Sequence, residues 1–213
     1  KGQGANVVRF KHNNMSDLER RLSKIPEDAG KLIVTDGVFS TFGDIAPLDD
    51  LYKLADEYNA QVLVDDAHAI GVIGEGGKGT ANHFGLDSEI DLVLCTFSKT
   101  FASLGGFVAG EERVINYLKH HSPAFIFSAS PTPPSVAAAY AALQILKSEP
   151  EKVDKLAYNS NKIRKGLQSL GFNVMDGQTA IVPVIIGDDE VAFKFWTELF
   201  NNNIFVNVFI SPA

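Results

Sequence analysis

The sequence predicts an α/β fold built on a mostly parallel central sheet flanked by helices. Two observations carry that expectation. Segments rich in β-branched residues alternate with segments of helical period, the pattern of successive strand–helix units. Three predicted strands also run straight into polar residues: Lys31 to Thr35 into the loop from Asp36 to Asp44, Gln61 to Val64 into Asp65-Asp66-Ala67-His68, and Ile90 to Thr96 into Phe97-Ser98-Lys99. Parallel α/β sheets collect ligands at such strand ends.

The elements follow in order. Val7 to Phe10 reads as a strand and Asn14 to Ser23 as a helix. After the strand Lys31 to Thr35, residues Leu48, Leu51, Leu54, Ala55 and Tyr58 share one helical face, with Pro47 at a tolerated first-turn position. Beyond the strands Gln61 to Val64 and Ile90 to Thr96, Phe107 to Ala109 reads as a short strand after Gly105-Gly106. Helices are expected from Glu111 to His120 and from Ser135 to Lys147. From Pro150 to Leu170 the apolar set Val153, Leu156, Ile163, Leu167 and Leu170 predicts a long amphipathic helix stopped by Gly171. The tail then reads as strands at Phe172 to Met175, Ala180 to Ile186 and Ile204 to Ile210, with a helix at Glu190 to Asn201. This divides the chain into a large domain (1–149), a connecting helix (150–170) and part of a smaller C-terminal α/β domain (171–213). The last residues, Ser211-Pro212-Ala213, bring no closing helix, so the small domain reads as incomplete.

Composition excludes several function classes. The 213 residues suffice for a sizeable core, and 45% hydrophobic against 21% charged residues describes a folded protein. Nineteen basic against 26 acidic residues give a net charge of −7, and no basic run occurs, so neither nucleic acid nor an anionic membrane surface is an expected partner. One cysteine excludes a disulfide framework and a thiolate zinc site and fits a reducing cytoplasm. No apolar run is long enough to span a bilayer, and no signal-peptide core opens the chain.

Each strand-end cluster has a plain structural reading beside its chemical one. The acidic pair Asp65-Asp66 could simply cap a helix. Lys99 could be solvated, although its setting between hydroxyls and a Gly-rich segment suits a desolvated, nucleophilic amine. Ser40 could close a turn or bind a ligand. Together the three fit pyridoxal phosphate, which needs a lysine for a Schiff base, an acid paired with its pyridinium nitrogen, and hydroxyls around its phosphate. Lys99 and Asp65 supply the first two, in the right order along the chain.

The stretches Val34-Thr35-Asp36-Gly37-Val38-Phe39-Ser40, Val64-Asp65-Asp66-Ala67-His68, Gly71-Val72-Ile73-Gly74, Gly79-Thr80, Thr96-Phe97-Ser98-Lys99 and Phe127-Ser128-Ala129-Ser130 resemble the α-oxoamine synthase family of fold-type I pyridoxal-phosphate enzymes. The likeness extends over nearly the whole chain. Within the family, the run Thr96 to Phe107 and Asn82-His83-Phe84-Gly85 most resemble members that acylate serine with a long-chain acyl-CoA. Members that form 8-amino-7-oxononanoate or 2-amino-3-ketobutyrate are the alternatives.

The resemblance implies a decarboxylating condensation of an amino acid with an acyl-CoA, giving an aminoketone such as 3-oxosphinganine. It makes Lys99 the Schiff-base lysine and proton shuttle and Asp65 the partner of the pyridinium nitrogen. His68, helped by Ser40, would lie near the phenolic oxygen. Thr96 and Ser98 would bind phosphate, with Ser128 or Ser130 reaching it from the partner subunit of a homodimer. Family members are much longer. The aromatic residue that stacks on the cofactor ring and the arginine that grips the substrate carboxylate have no assignable counterpart here, so a fragment with weak or no turnover is expected. Retention of Lys99, Asp65 and His68 argues against a catalytically dead partner subunit.

Other signals are discounted. Gly74 to Thr80 resembles a P-loop, but Lys78 is followed by Gly79, not Ser or Thr. His120-His121 complements a helix C-terminus, and His12 and His83 lack metal-ligand spacing. Cys95 reads as a core residue. Phe193, Trp196 and Phe200 fall at helical spacing and read as core. Asn14-Met15-Ser16 matches a glycosylation triplet that has no meaning without a leader.

Overall fold

The computed structural model describes residues 4–210. Four strands form one sheet in the order β1 (Leu32–Asp36), β2 (Gln61–Asp65), β3 (Leu92–Thr96), β4 (Gly106–Gly110). The first three are parallel, and β4 runs antiparallel to β3. Among the described residues eight α-helices surround and follow the sheet: α1 (Met15–Leu22), α2 (Leu48–Glu57), α3 (Thr80–His83), α4 (Glu112–His121), α5 (Pro123–Ile126), α6 (Pro133–Ser148), α7 (Glu151–Ser169) and α8 (Asp189–Asn201). None of the described helices is long and apolar enough to cross a membrane.

Period-two alternation decides which face of the sheet is filled. Ile33, Val62 and Val64 point toward α1 and α2 and form a core with Leu18, Leu22, Leu48, Leu51 and Ala55. The intervening residues of β1, Leu32 and Val34, are 52% and 58% exposed on the opposite face. Further along the sheet, Cys95, Phe101 and Ala139 make a second cluster that seats α6. A third, of Val38, Ala69 and Ile73, lies under the strand-end loops.

Local chemistry sets several boundaries. Asn14 caps α1 by accepting the Asp17 N–H at 2.8 Å. The ring Nδ1 atoms of His120 and His121 bond the Asn116 and Tyr117 carbonyls at the end of α4, the role expected of them. Asp66 is the buried fastener of the strand-end region. Its own N–H donates to Leu94 O at 2.7 Å, and its Oδ2 accepts the Thr80 N–H at 2.8 Å, tying the turn after β2 to both β3 and α3. Gly37 lies against this pair, where a Cβ would fall 2.1 Å from Asp66 Oδ1 and from Thr80 Oγ1.

The structure differs from the sequence expectation at four places. Val7 to Phe10 is not a strand: Val7 and Val8 are exposed, and the segment pairs with no strand among the described residues. The two strands expected at 172–175 and 180–186 reduce to one antiparallel bridge, Val174 to Val184. Residues 204–210 form no strand, and Phe205 and Phe209 are exposed. Phe193 and Phe200 are likewise exposed, so that stripe is not core, and Trp196 donates its Nε1–H to Val206 O at 2.9 Å. Apolar periodicity predicts that a face needs cover, and among the described residues these faces lack it. Ser211 to Ala213 lie outside the described residues.

Replacing Asp66 by Ala strands the buried Thr80 N–H and is expected to lower stability by about 1–3 kcal/mol. The measurement is the denaturant midpoint at unchanged slope. An unmoved midpoint would remove Asp66 from this fastening role.

Candidate active site

In-register parallel pairing brings the chemistry to one edge. Asp36, the last residue of β1, pairs by register with Asp65, the last of β2, and Asp65 pairs with Leu94 of β3. β3 ends two residues later at Thr96, and the chain turns at once through Ser98 and Lys99.

That turn is locked on several sides. Phe97 N–H donates to Gly105 O at 2.9 Å, Ser103 N–H to Phe97 O at 2.8 Å, and Ala102 N–H to Lys99 O at 2.9 Å. Ala102 takes φ +47, an uncommon conformation for a residue with a Cβ and a local strain that the surrounding bonds must hold. Thr100 Oγ1 donates to Ile70 O at 2.7 Å, fastening the lysine turn to the turn that carries His68. Gly71 permits this approach: its φ is +79, and a Cβ there would lie 2.2 Å from Thr100 Cγ2.

The two turns enclose a cavity of about 200 Å3 lined by Ala67, His68, Val72, Lys99, Thr100, Thr179, Ala180 and Ile181. Lys99 Nζ donates to Thr96 Oγ1 at 3.4 Å, and Ser98 Oγ donates to the same oxygen at 3.3 Å, so an amine and two hydroxyls cluster where β3 ends. At the strand ends, Asp65 Oδ1 accepts the Ala67 N–H at 3.0 Å. Lys99 is exposed, which departs from the desolvated lysine expected: the turn projects past the sheet edge, and none of the described residues buries it.

Charges in the cluster act on one another. Burial, then the Asp65 charge, pushes the Asp36 carboxyl above the ordinary carboxylate range, while His68 and Lys99 pull it back. Burial and the Lys99 ammonium hold His68 below the usual imidazole value, opposed by Asp36 and Asp65. Near neutral pH the imidazole is therefore uncharged, able to donate from one nitrogen and accept at the other. Burial, and to a lesser degree the Asp65 charge, raises the Asp66 carboxyl, with the Thr80 hydrogen bonds opposing it, which fits a structural residue. Burial also lifts Cys95 to about 11, an inert core thiol as expected.

His68, Lys99, Thr96, Ser98 and Asp65 thus converge. Of these, His68 and Lys99 line the cavity, whereas Thr96, Ser98 and Asp65 lie at the adjoining strand ends, and Ser40 stands apart. It opens a neighbouring groove of about 710 Å3 that meets the first at Ile181. Ser128 and Ser130 are exposed in the loop between α5 and α6, and Ser128 Oγ donates to Ala124 O. Asp36, Thr100 and Thr179 join the site without having been singled out as site residues. The first had a detectable signal, being a carboxylate at a strand end beside Asp65. Among the described residues no cluster suits a metal ion. His12 pairs instead with Asp44, its Nε2 lying 2.5 Å from Oδ2, and Lys78 pairs with Glu75 in an ordinary turn.

A strand-end lysine facing a carboxylate and an imidazole on this sheet defines a class. The aminotransferase class I and II family model matches residues 1–212, and the chain belongs to that family. Among its relatives, a serine palmitoyltransferase of Sphingobacterium spiritivorum is 49% identical over 207 residues, covering 97% of this chain and 52% of the relative. An 8-amino-7-oxononanoate synthase of Bacillus subtilis is 44% identical over 204 residues, covering 96% and 52%. The solved serine palmitoyltransferase of S. paucimobilis with a bound PLP–myriocin aldimine superposes with a TM-score of 0.92 at 36% identity, covering 96% of this chain and 53% of that one. The likeness to the α-oxoamine synthases, and with it the fold-type I architecture, is borne out. The chain spans about half the length of the curated relatives it matches.

The electrostatics predict a specific titration. His68, followed by NMR of its ring protons, should titrate below 6.5. Lys99→Met should raise that value by removing a positive neighbour, and Asp36→Asn should lower it further. Because the folded value lies below the unfolded one, the contribution of His68 to stability is full above pH 6.5 and is lost as pH falls through the lowered value. A His68 titration indifferent to both variants would contradict the cluster.

Proposed function

We propose that this chain carries the catalytic centre of a pyridoxal-phosphate-dependent α-oxoamine synthase that joins an amino acid, L-serine on this reading, to a long-chain acyl-CoA, with loss of carbon dioxide and free CoA. The observation that carries the reading is the convergence of Lys99 and His68 on one cavity with Asp65 at the adjoining strand end.

The donor set fits the cofactor. Asp65, kept beside a second carboxylate, suits a partner for a protonated ring nitrogen. An uncharged His68 suits the phenolic oxygen. Thr96 and Ser98 offer hydroxyls to the phosphate, and the Lys99 amine suits its aldehyde. Ser40 would support the phenolic side, and Ser128 or Ser130 would reach the phosphate from the second subunit of a homodimer. When bound, the cofactor supplies an electron-withdrawing ring that stabilises negative charge at the substrate α-carbon. Asp65 would hold the proton on the ring nitrogen. Lys99 Nζ would accept the α-proton of the amino-acid substrate. The cavity walls orient that carbon toward the acyl thioester.

The division into a large domain at 1–149, a connecting helix at 150–170 and a small domain at 171–213 belongs to the same reading, supported by the 19-residue helix α7 that leads into the last segment. A second reading, 8-amino-7-oxononanoate synthesis, is favoured by the 44% identity to the Bacillus subtilis enzyme. Amino-acid choice separates the two.

With the full-length protein, serine and palmitoyl-CoA should release free CoA, faster than alanine or glycine does. Lys99→Ala should lower that rate by at least about 10³-fold. Asp65→Asn should keep cofactor attached yet slow α-proton exchange by about 10²-fold. Preference for alanine with a shorter acyl-CoA would favour the second reading, and undiminished exchange in Asp65→Asn would remove the role given to Asp65.

A further inference from the structure

Arg164 is the most deeply buried cation of α7, at 5% exposure on the face shared with Val153 and Ser160. Its Nη2 donates to the carbonyl oxygens of both Thr179 and Ile181 at 3.0 Å, and its Nη1 donates to Asn161 Oδ1 at 3.2 Å. Among the described residues no carboxylate forms an ion pair with it. Its Nε is buried without a hydrogen-bond partner, so the group is held through its two Nη atoms, and the planar fork of arginine lets one of them reach both carbonyls where a lysine ammonium has a different geometry.

The bridged segment is held from its other side as well. Thr179, 1% exposed, donates its hydroxyl to Gly43 O at 2.7 Å, across 136 positions of sequence. Ile181, partly buried, packs against the small core of Val38, Ala69 and Ile73 under the strand-end loops. Residues Thr179, Ala180 and Ile181 are also the wall of the cavity that contains His68 and Lys99. Two anchors, one from α7 and one from the loop after β1, therefore meet on the three residues that bound the site.

We propose that Arg164 and Thr179 are positioning residues: they clamp residues 179–181 as the fixed wall of the cavity and thereby set where the amino-acid substrate lies relative to Lys99. This rests on the reading of the cavity as the cofactor and substrate site. Neither side chain touches the reacting atoms. The guanidinium acts through the Thr179 and Ile181 carbonyls, and the hydroxyl acts through Gly43.

The test uses the full-length protein and three variants, Arg164→Lys, Thr179→Val and Thr179→Ser. Hydrogen exchange is followed over residues 177–186 and, as an internal reference, over β1 to β3. Arg164→Lys and Thr179→Val should speed exchange at 177–186 by about ten-fold and leave the strands unchanged. The same two variants should raise KM for the amino acid by about five-fold with kcat changed less than about two-fold, and Thr179→Ser should restore both readouts. Exchange that rises equally in the strands, or not at all at 177–186, would overturn the clamp. So would local exchange with an unchanged KM in a protein that turns over. If the parent protein binds no cofactor, the functional reading fails, and the exchange pattern still decides whether these residues hold the wall.

Discussion

The parallel register of β1, β2 and β3 is the constraint on which the rest depends. Because Asp36 stands beside Asp65 and Asp65 beside Leu94, three chain segments leave the sheet along one edge and in one direction. Each exit is polar, and none could meet the others if the register slipped, since a one-residue shift would turn every strand side chain to the opposite face. The burial of Ile33, Val62 and Val64 against α1 and α2 enforces that register. The geometry of the candidate site thus rests on a hydrophobic core several residues away.

A second level of order converts this edge into a cavity. Asp66 binds the turn after β2 to β3 and α3, Thr100 binds the lysine turn to Ile70, and Arg164 with Thr179 sets the wall. These are hydrogen bonds between loops, made where little apolar area is available to fix geometry. Ala102 at positive φ shows that the lysine turn is held in a conformation that its residues would not choose alone. The charges follow from the same placement: burial at the edge, and then the neighbouring Asp65, raises Asp36, while burial, and then the facing Lys99, lowers His68.

The strongly periodic parts of the fold were legible in the sequence. β1 to β4, α1, α2, α4, α6, α7 and α8 lie where alternation, helical period and caps put them, within a few residues. Asp65, His68, Thr96, Ser98 and Lys99 were legible because a strand that ends in polar residues announces a site. Less legible were α3 and α5, four residues each and too short for a period to register. The expected strands at 7–10 and 204–210 have strand-like sequences and no partner among the described residues, and pairing is not written in one strand alone. Arg164 illustrates the remaining limit. In sequence it is one basic residue of an amphipathic helix, and only the fold reveals that it faces inward onto two carbonyls.

The most direct test of the central claim, that Lys99 at this strand edge is the covalent anchor for pyridoxal phosphate, is borohydride reduction of the cofactor-loaded full-length protein followed by peptide mass mapping. The account predicts a visible absorption band before reduction and a single pyridoxyl adduct on Lys99 after it. A band with the adduct on another lysine, or no band in the full-length protein, would contradict it.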